Sequence, residues 1–196
     1  MYTPEISVVT QAERDRVMAT VMLGFSSDPL VRWFYPQAED YVNSVPAFDA
    51  FCGGAIDCGT AYRTEAFEGA ALWFPPGFGP DEERFSDYTS STIREEILED
   101  VVGVFQAMGS YHPDEPCWYL PVIGVDPARQ GMGLGAVLMK HALQHIDEQA
   151  LPAYLESSNP KNISLYERHG FEAMGQIRIG SSPLITPMIR AARNSA

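Results

Sequence analysis

The chain has 196 residues, of which 45% are hydrophobic and 20% charged, as in an ordinary globular domain. Its formal net charge of −13 argues against a nucleic-acid partner, because a phosphate polymer would be repelled. Three cysteines without a C-x-x-C pair fit neither a disulfide framework nor a zinc site, and no signal peptide or apolar run of ~20 residues is recognisable. We therefore expect a single cytoplasmic domain over residues 1–196, with no membrane partner.

Short helices and strands are predicted along the amino-terminal half of the chain. Thr10 and Glu13 form a capping box before a helix whose apolar residues recur at helical spacing as far as Phe25. Asp28 before Pro29 has the pattern of an N-cap followed by proline at the first helical position, which predicts a second short helix. The other elements expected here are a strand at 6–9, helical residues at 38–57 interrupted near Pro46, and a hairpin of strands at 60–64 and 70–74.

The carboxyl-terminal half predicts a strand–helix–strand unit. Residues 117–125 are apolar on both faces, which is typical of a strand buried at the centre of a sheet. A helix over about 133–149 and a strand at 152–157 follow, with a right-handed crossover. Further elements are expected as an amphipathic helix at 92–108, a short helix at 163–169, and strands at 173–179 and 184–189. The expected fold class is α/β, with a mixed, twisted, seven-stranded sheet flanked by helices.

Three glycines at alternate positions, Gly131, Gly133 and Gly135, separate the central strand from the helix that follows it. Glycine lets the backbone approach a ligand closely and point successive N–H groups towards it. The start of the helix adds unpaired N–H groups and the positive end of the helix dipole. This combination predicts a phosphate cradle, and hence a cofactor that carries a pyrophosphate.

A dinucleotide-binding fingerprint is one explanation of these glycines. Gly131-x-Gly133-x-x-Ala136 satisfies its spacing, and Glu156 stands about twenty residues later, where a ribose-binding acid would. However, residues 126–130 separate the first glycine from the strand, and about sixty residues remain after Ala136, too few for a second nucleotide-binding half. A P-loop is excluded because no Gly-Lys-Ser/Thr closes the loop. A nucleotide-dependent oxidoreductase is therefore the weaker alternative.

Two blocks of the sequence together resemble the GCN5-related N-acetyltransferase (GNAT) family. Gln130, Gly133 and Gly135 match the acetyl-CoA loop of that family, and residues 155–171 resemble its second block about thirty residues later. Within the family, the group that contains puromycin N-acetyltransferase shares the Glu-Pro-x-Trp entry to the central strand and the Leu-Glu-(Ser/Thr)-Ser strand. The resemblance implies a GNAT-like acyl-CoA N-acyltransferase fold, acetyl-CoA as cofactor and a small-molecule amine as substrate. It also makes a homodimer an expected assembly.

The resemblance further implies which residues hold acetyl-CoA. Main-chain groups around Ile123, Gly124 and Val125 would bind the pantetheine arm like an added strand, and the Val125 N–H would polarise the thioester carbonyl. Asn159 and Asn162 are either further contacts or caps of the following short helix. The pyrophosphate is expected at Arg129, Gln130, Gly131, Met132, Gly133, Leu134, Gly135 and Ala136. Since many members carry Arg or Lys at the position of Met132, Arg129 is expected to supply the charge.

Two residues are the first candidates for acid–base chemistry. Tyr166 aligns with the family's usual general acid, which protonates the leaving thiolate, and its alternative role is aromatic packing. Glu156 is the expected general base, because a partly buried carboxylate has a raised pKa, and its alternative role is a structural hydrogen bond across the splayed strands. His112 is the second candidate base. No metal ligand is expected: His141 and His145 lie one helical turn apart, but no third ligand accompanies them.

The acceptor is expected where family members use their first two helices. Trp33 and Tyr35 would wall an aromatic or apolar amine, and Asp28 would meet its charge; alternatively, the two aromatic residues belong to the core and Asp28 caps a helix. The expected function is direct attack of a primary amine on acetyl-CoA in a ternary complex, since no cysteine in either motif suggests an acyl-enzyme. A non-catalytic acyl-CoA-binding regulator on the same fold is the alternative.

Overall fold

A computed structural model of the protein describes residues 4–193 and places seven strands in one sheet. The strand order is β1-β2-β3-β4-β5-β7-β6, and among these strands β4 and β5 are the pair that runs parallel. The sheet is therefore mixed, and the predicted α/β fold class is confirmed. The strands are β1 Ile6–Val8, β2 Ala61–Thr64, β3 Gly69–Phe74, β4 Trp118–Val125, β5 Ala153–Ser157, β6 Glu172–Ala173 and β7 Thr186–Arg190.

Helices cover both faces of this sheet. They are α1 Arg14–Phe25, α2 Pro29–Phe34, α3 Ala38–Asn43, α4 Val45–Phe48, α5 Gly54–Asp57, α6 Glu82–Thr92, α7 Leu98–Tyr111, α8 Leu134–Glu148 and α9 Ile163–Arg168. A buried cluster joins α1, α2 and α7 to the sheet face that carries Leu72 and Val122. A second cluster joins α8 to the face that carries Ala71 and Leu120. Within residues 4–193, no helix is both long enough and apolar enough to cross a membrane.

An extra residue in β4 opens the sheet beside β5. The pairing of β3 with β4 shifts between Val122 and Tyr119, so that three steps along β4 oppose two steps along β3. Pro121, which has no N–H to donate, stands inside this bulge, as proline within a strand usually does. The pairing of β4 with β5 ends at Leu120, although β4 continues to Val125. The ends of the two strands therefore diverge.

Helix α1 packs against the backbone of the divergent end of β4. A Cβ atom on Gly24 would lie 2.8 Å from Gly124 Cα and 2.8 Å from Val125 N, which is closer than side-chain carbons approach. A Cβ atom on Gly124 would lie 3.1 Å from Val21 Cα. Because both residues are glycine, the helix lies directly on the strand and fixes its position beside the gap.

The structure differs from the sequence prediction on the helical side of the sheet. The helix predicted at 92–108 begins at Leu98, after a 3-10 turn at Glu95–Ile97, because Ile93 has an extended backbone and ends the preceding helix. That preceding helix, α6, is not predicted by the sequence pattern. Thr89 is its one buried residue, so its residues show no apolar stripe.

The carboxyl-terminal strands also differ from their prediction. The strand predicted at 173–179 is limited to β6, and beyond it one isolated bridge pairs Ile177 with Ile185. The Met174 N–H still donates to Pro187 O of β7 at 2.9 Å, and beyond Met174 the ladder is not continuous. The other predicted strands and the hairpin lie within one or two residues of their expected positions.

Candidate active site

The glycine loop after β4 borders an open groove at the start of α8. Gly131 has φ +78° and Gly133 has φ +86°, in the left-handed region that favours glycine, and Gly133 is the N-cap of α8. Apart from the glycine itself and its two chain neighbours, no heavy atom of the described residues lies within 4 Å of the place that a Cβ would take on either glycine. The unpaired N–H groups at the start of α8 therefore face free space and can reach a phosphate.

The end of β4 directs main-chain groups towards the gap beside β5. The Asp126 N–H donates to Glu68 O at 2.8 Å, on the side of β3. Since successive N–H groups of a strand alternate in direction, the Val125 N–H points to the opposite side, into the gap. The Gln130 side chain donates to Val125 O at 3.1 Å and holds the loop against the strand end. This geometry leaves the Val125 N–H available to a ligand.

Eleven of the residues expected to bind the cofactor line one groove of about 390 Å³. Gly124, Met132 and Asn159 do not line it: Gly124 faces α1, Met132 is 64% exposed, and Asn159 Oδ1 accepts from the Lys161 N–H at 3.1 Å as a helix cap. Cofactor binding by all of these residues stays a prediction. The eleven are Ile123, Val125, Arg129, Gln130, Gly131, Gly133, Leu134, Gly135, Ala136, Asn162 and Tyr166.

Two cationic residues of the groove are missed by the sequence reasoning. Lys161 and Arg168 both line it, from the 3-10 turn Pro160–Asn162 and from α9. Arg129, the residue expected from the sequence to supply positive charge, pairs with Glu68 at 3.1 Å. Lys161 and Arg168 both stand in the block 155–171, and that position is the sequence signal that could have identified them. Positive charge beside a phosphate cradle favours an anionic ligand.

Tyr166 lies in the same groove and is 6% exposed. Its ring packs edge-on against Phe171, with the ring centroids 6.3 Å apart. Burial raises the pKa of the Tyr166 phenol, and the nearby charge of Asp28 raises it further. The phenol therefore stays protonated near neutral pH and is able to donate a proton. Its role as general acid stays a prediction.

Glu156 is half-buried on β5, one residue beyond the last pair of β5 with β4. Burial raises its pKa to about 7, although the hydroxyls of Tyr119 and Tyr154 lower it. The Tyr154 hydroxyl has no partner within hydrogen-bond distance among the described residues, so it acts on Glu156 over a longer distance. His112, the second candidate base, is exposed, with its ring edge-on to both tyrosines. A carboxylate whose pKa is near neutrality suits proton abstraction from an amine.

The three residues expected at the acceptor site have different surroundings. Tyr35 lines a cleft that also contains Glu156. Asp28 is 5% exposed, and its Oδ1 accepts from two N–H groups at the start of α2 at 3.0 and 3.1 Å, while its Oδ2 accepts from Ser158 Oγ at 2.7 Å. Trp33 does not line the cleft; its indole N–H donates to Ser181 Oγ at 3.2 Å. The helix cap considered for Asp28 is confirmed, and substrate contact by the three residues stays a prediction.

Aromatic side chains from separate segments line this cleft, which the sequence reasoning does not predict. Phe105 of α7 is at its centre, with the ring centroids of Phe34, Phe51 and Phe85 at 6.1, 6.3 and 5.1 Å. Two adjoining cavities that share lining residues form this cleft: one of about 80 Å³, which we call the inner part, and one of about 660 Å³, which we call the outer part. Glu156 borders both. No local sequence pattern could reveal this cleft, because its walls come from residues far apart in the chain.

The divergent end of β4 borders both the groove and the cleft. Ile123 and Val125 border the groove, whereas Pro121 and Val122 border the cleft. Glu156 lines the cleft, and Tyr166 of α9 lines the groove. A carboxyl group and a phenol are side chains that can accept and donate protons.

The acetyltransferase (GNAT) family is the one to which this chain belongs, because the family profile matches residues 60–171, more than half of the chain. The predicted family is thereby confirmed. A solved structure from Corynebacterium glutamicum ATCC 13032, described as histone acetyltransferase HPA2 and related acetyltransferase, has a TM-score of 0.66 and 21% identity. That comparison covers 100% of this chain and 99% of the other. At this identity, the likeness shows the fold alone.

Curated relatives match over shorter segments. Mycothiol acetyltransferase of Thermomonospora curvata is 46% identical over 63 residues, which are 31% of this chain and 21% of that protein. An uncharacterized N-acetyltransferase of Schizosaccharomyces pombe is 30% identical over 118 residues, which are 54% of this chain and 47% of that protein. The chain thus spans between about a fifth and about a half of the length of these two relatives.

Proposed function

We propose that the protein transfers the acetyl group of acetyl-CoA to the primary amine of a small molecule, by direct attack in a ternary complex. The observation that carries this proposal is that neighbouring residues at the divergent end of β4 border both the groove and the cleft, with Tyr166 lining the groove and Glu156 lining the cleft. Membership of the GNAT family supports acetyl-CoA as the donor. We further propose that residues 1–196 act as one acetyltransferase domain.

The groove fits a ligand with a pyrophosphate and an extended arm. Free space beside Gly131 and Gly133 admits phosphate oxygens to the N–H groups of the loop, and Lys161 and Arg168 supply positive charge. The end of β4 offers unpaired main-chain groups to the arm, as the edge of a sheet does to an added strand. When bound, acetyl-CoA supplies an activated acetyl thioester. The Val125 N–H, which points into the gap, is the group that we expect to polarise its carbonyl.

Acid–base chemistry is divided between the two sides of the gap. An ammonium substrate gives up two protons during acetylation. Glu156 takes one of them and passes it to solvent, and the other balances the proton that Tyr166 gives to the thiolate sulfur. Burial supports the role of Glu156, because it holds the pKa of that carboxyl group near 7. The Tyr166 phenol, whose pKa is raised by burial, is protonated and can donate once the leaving thiolate carries negative charge.

Several finer points rest on the sequence alone. Similarity to the puromycin N-acetyltransferase group, a homodimer and a cytoplasmic location all stay predictions. For the acceptor we propose direct contact with Tyr35, which lines the cleft, and supporting roles for Asp28 and Trp33, whose polar groups bind other residues of the protein.

A thermal-shift titration with acetyl-CoA, CoA, NADH and NADPH is the first test. A ligand that binds the native state raises the melting temperature with its concentration. We expect acetyl-CoA and CoA to raise it and both nicotinamides to have no effect. A shift with a nicotinamide alone would contradict the proposal and make Glu156 a ribose ligand.

Thiol release in the presence of amines is the second test, and it separates an enzyme from the regulator considered as the alternative. We expect CoA release that depends on both acetyl-CoA and an amine. Binding of acetyl-CoA without turnover of any amine would instead support the non-catalytic regulator.

A further inference from the structure

The cleft beside Glu156 is lined mainly by phenylalanine. Seven of the ten phenylalanines of the chain line one or both of its parts. Phe105, Phe51 and Phe85 form the wall that the two parts share, and Phe78 stands 64% exposed at the open end. The three shared rings are half-buried, as expected of side chains that cover one another on one side and face the cleft on the other. This concentration of apolar surface in one open cleft marks a binding site for an apolar group.

Charged groups are nearly absent from these walls. Glu156 is the one charged side chain among the described residues that line the inner part. Its polar neighbours there are uncharged hydroxyl groups, including those of Tyr119 and Ser158. In the outer part, Glu82 is a second carboxylate, but it is exposed to solvent on α6. The inner part therefore offers one negatively charged side chain, Glu156, among apolar side chains and hydroxyl groups.

We propose that the amine acceptor is an apolar monoamine, whose amino group lies at Glu156 and whose uncharged aliphatic or aromatic body lies along the phenylalanine wall. This inference rests on the proposed acetyl transfer and names the substrate class for it. Acetylation forms the amide N–C bond and breaks the thioester C–S bond, with the proton balance given above. A second ammonium group on the body of the acceptor would lose water of hydration against apolar side chains, and among the described residues of the inner part there is no carboxylate besides Glu156 to pair with it.

A matched pair of amines tests this substrate class. Hexylamine and 1,6-diaminohexane have the same reacting end and the same six-carbon chain, and the diamine adds an ammonium group at the far end. With acetyl-CoA saturating, we expect kcat/KM for hexylamine to exceed that for the diamine by about 100-fold, since an unpaired ammonium in an apolar site costs several kcal/mol. Phenylethylamine is expected to resemble hexylamine.

A carboxylate placed in the shared wall should reverse this preference. Phe85→Asp adds a negative charge beside the body of the acceptor, so we expect the ratio of the two kcat/KM values to move at least about tenfold towards the diamine. The ratio is independent of how much of the variant is folded. Val42→Asp is the matched control, because Val42 is 61% exposed on α3 and does not line the cleft; its ratio should equal that of the wild type.

Binding measured by calorimetry on the CoA-saturated protein separates the two proposals. Faster acetylation of the diamine than of hexylamine would overturn the substrate class and leave acetyl transfer standing. If hexylamine binds and is not acetylated, acetyl transfer is overturned while the apolar site is supported. If hexylamine neither binds nor reacts, the apolar acceptor site is overturned.

Discussion

Ser158, which follows β5, donates a hydrogen bond of 2.7 Å to Asp28 Oδ2 at the N-cap of α2. This bond joins two elements that border the gap, since Ser158 also lines the cleft and α2 supplies part of its wall. Asp28 is buried, and its charge raises the pKa of Tyr166. The Asp28 carboxylate thus caps α2, binds Ser158, which stands two residues after Glu156, and raises the pKa of the Tyr166 phenol.

Substitutions at Asp28 distinguish a structural cap from a substrate contact. Asn is as good an N-cap as Asp, and its amide N–H groups, in the place of Oδ2, can donate to Ser158 Oγ, so Asp28→Asn should keep kcat/KM within about fivefold of the wild type. Asp28→Ala should lower the free energy of unfolding by about 1–3 kcal/mol, because two N–H groups at the start of α2 and the Ser158 hydroxyl lose their hydrogen-bond acceptor. Denaturant unfolding and steady-state kinetics measure both effects. A loss of more than about 100-fold in kcat/KM for Asp28→Asn would instead indicate that the charge meets the substrate ammonium.

The parts of the site that lie in one stretch of sequence are the parts that the sequence could predict. Gly131, Gly133 and Gly135 stand within five residues, and the central strand and α8 flank them, so the groove follows from local pattern. Tyr166 was identifiable through its resemblance to a family block. Neither inference needed to know which distant segments pack together.

The acceptor cleft could not be predicted because it is a tertiary feature. Its four central phenylalanines span residues 34 to 105 and come from elements whose packing no local pattern specifies. One of those elements, α6, has almost no buried face and thus no apolar stripe to indicate a helix. The choice between cap and substrate contact for Asp28 was likewise open, because both roles use the same carboxylate and depend on where Ser158 lies.

Removal of the Tyr166 hydroxyl should affect turnover more than binding. Tyr166→Phe keeps the ring that packs against Phe171, so the fold and the acetyl-CoA-dependent thermal shift should remain. Without a proton for the leaving thiolate, kcat should fall about 10²–10⁴-fold. Wild-type kcat in this variant, with acetyl-CoA binding intact, would show that Tyr166 is a packing residue.

The pH dependence of activity should report on Glu156. Its pKa of about 7 belongs to a proton acceptor, so kcat/KM should rise tenfold per pH unit below pH 7 and level off above it. The titratable groups that face it are Tyr119, Tyr154 and Cys117, and burial raises the pKa of each, so they stay neutral in this range. In Glu156→Gln the inflection should disappear and kcat/KM should fall about 10²–10³-fold. In the control Glu39→Gln, at an exposed site, the inflection and the wild-type kcat/KM should both remain. If the inflection persists in Glu156→Gln, it belongs to another titrating group, and His112 is the first residue to test.

The same carboxyl should make stability depend on pH in the opposite direction. The folded pKa of Glu156 is raised above the ordinary value of 4.5, so the folded state keeps this proton over a range in which the unfolded state has lost it. The stabilisation that this proton gives to the folded state is therefore fully present below about pH 4.5 and is lost as the pH rises to about 7. The free energy of unfolding should fall by at most about 3 kcal/mol over this range. The free energy of unfolding of the wild type minus that of Glu156→Gln, measured across this range, isolates the effect. A difference that stays constant from pH 4 to 8 would contradict a raised pKa.

A pair of glycine substitutions separates the effect of backbone strain on stability from the effect of a methyl group on acetyl-CoA binding. Gly133 and Gly59 have φ of +86° and +70°, and beyond its chain neighbours neither has a heavy atom of the described residues within 4 Å of the place of a Cβ. Of the two, only Gly133 lines the groove. Alanine at either position should lower the free energy of unfolding by about 1–2 kcal/mol, because an L-residue is strained at positive φ. Gly133→Ala should in addition weaken acetyl-CoA binding by at least about tenfold, since the methyl group occupies the space that we assign to a phosphate. Gly59→Ala should bind acetyl-CoA like the wild type in the same calorimetric titration. Equal affinity in the two variants would mean that the pyrophosphate lies elsewhere, and the assignment of the glycine loop would then be wrong.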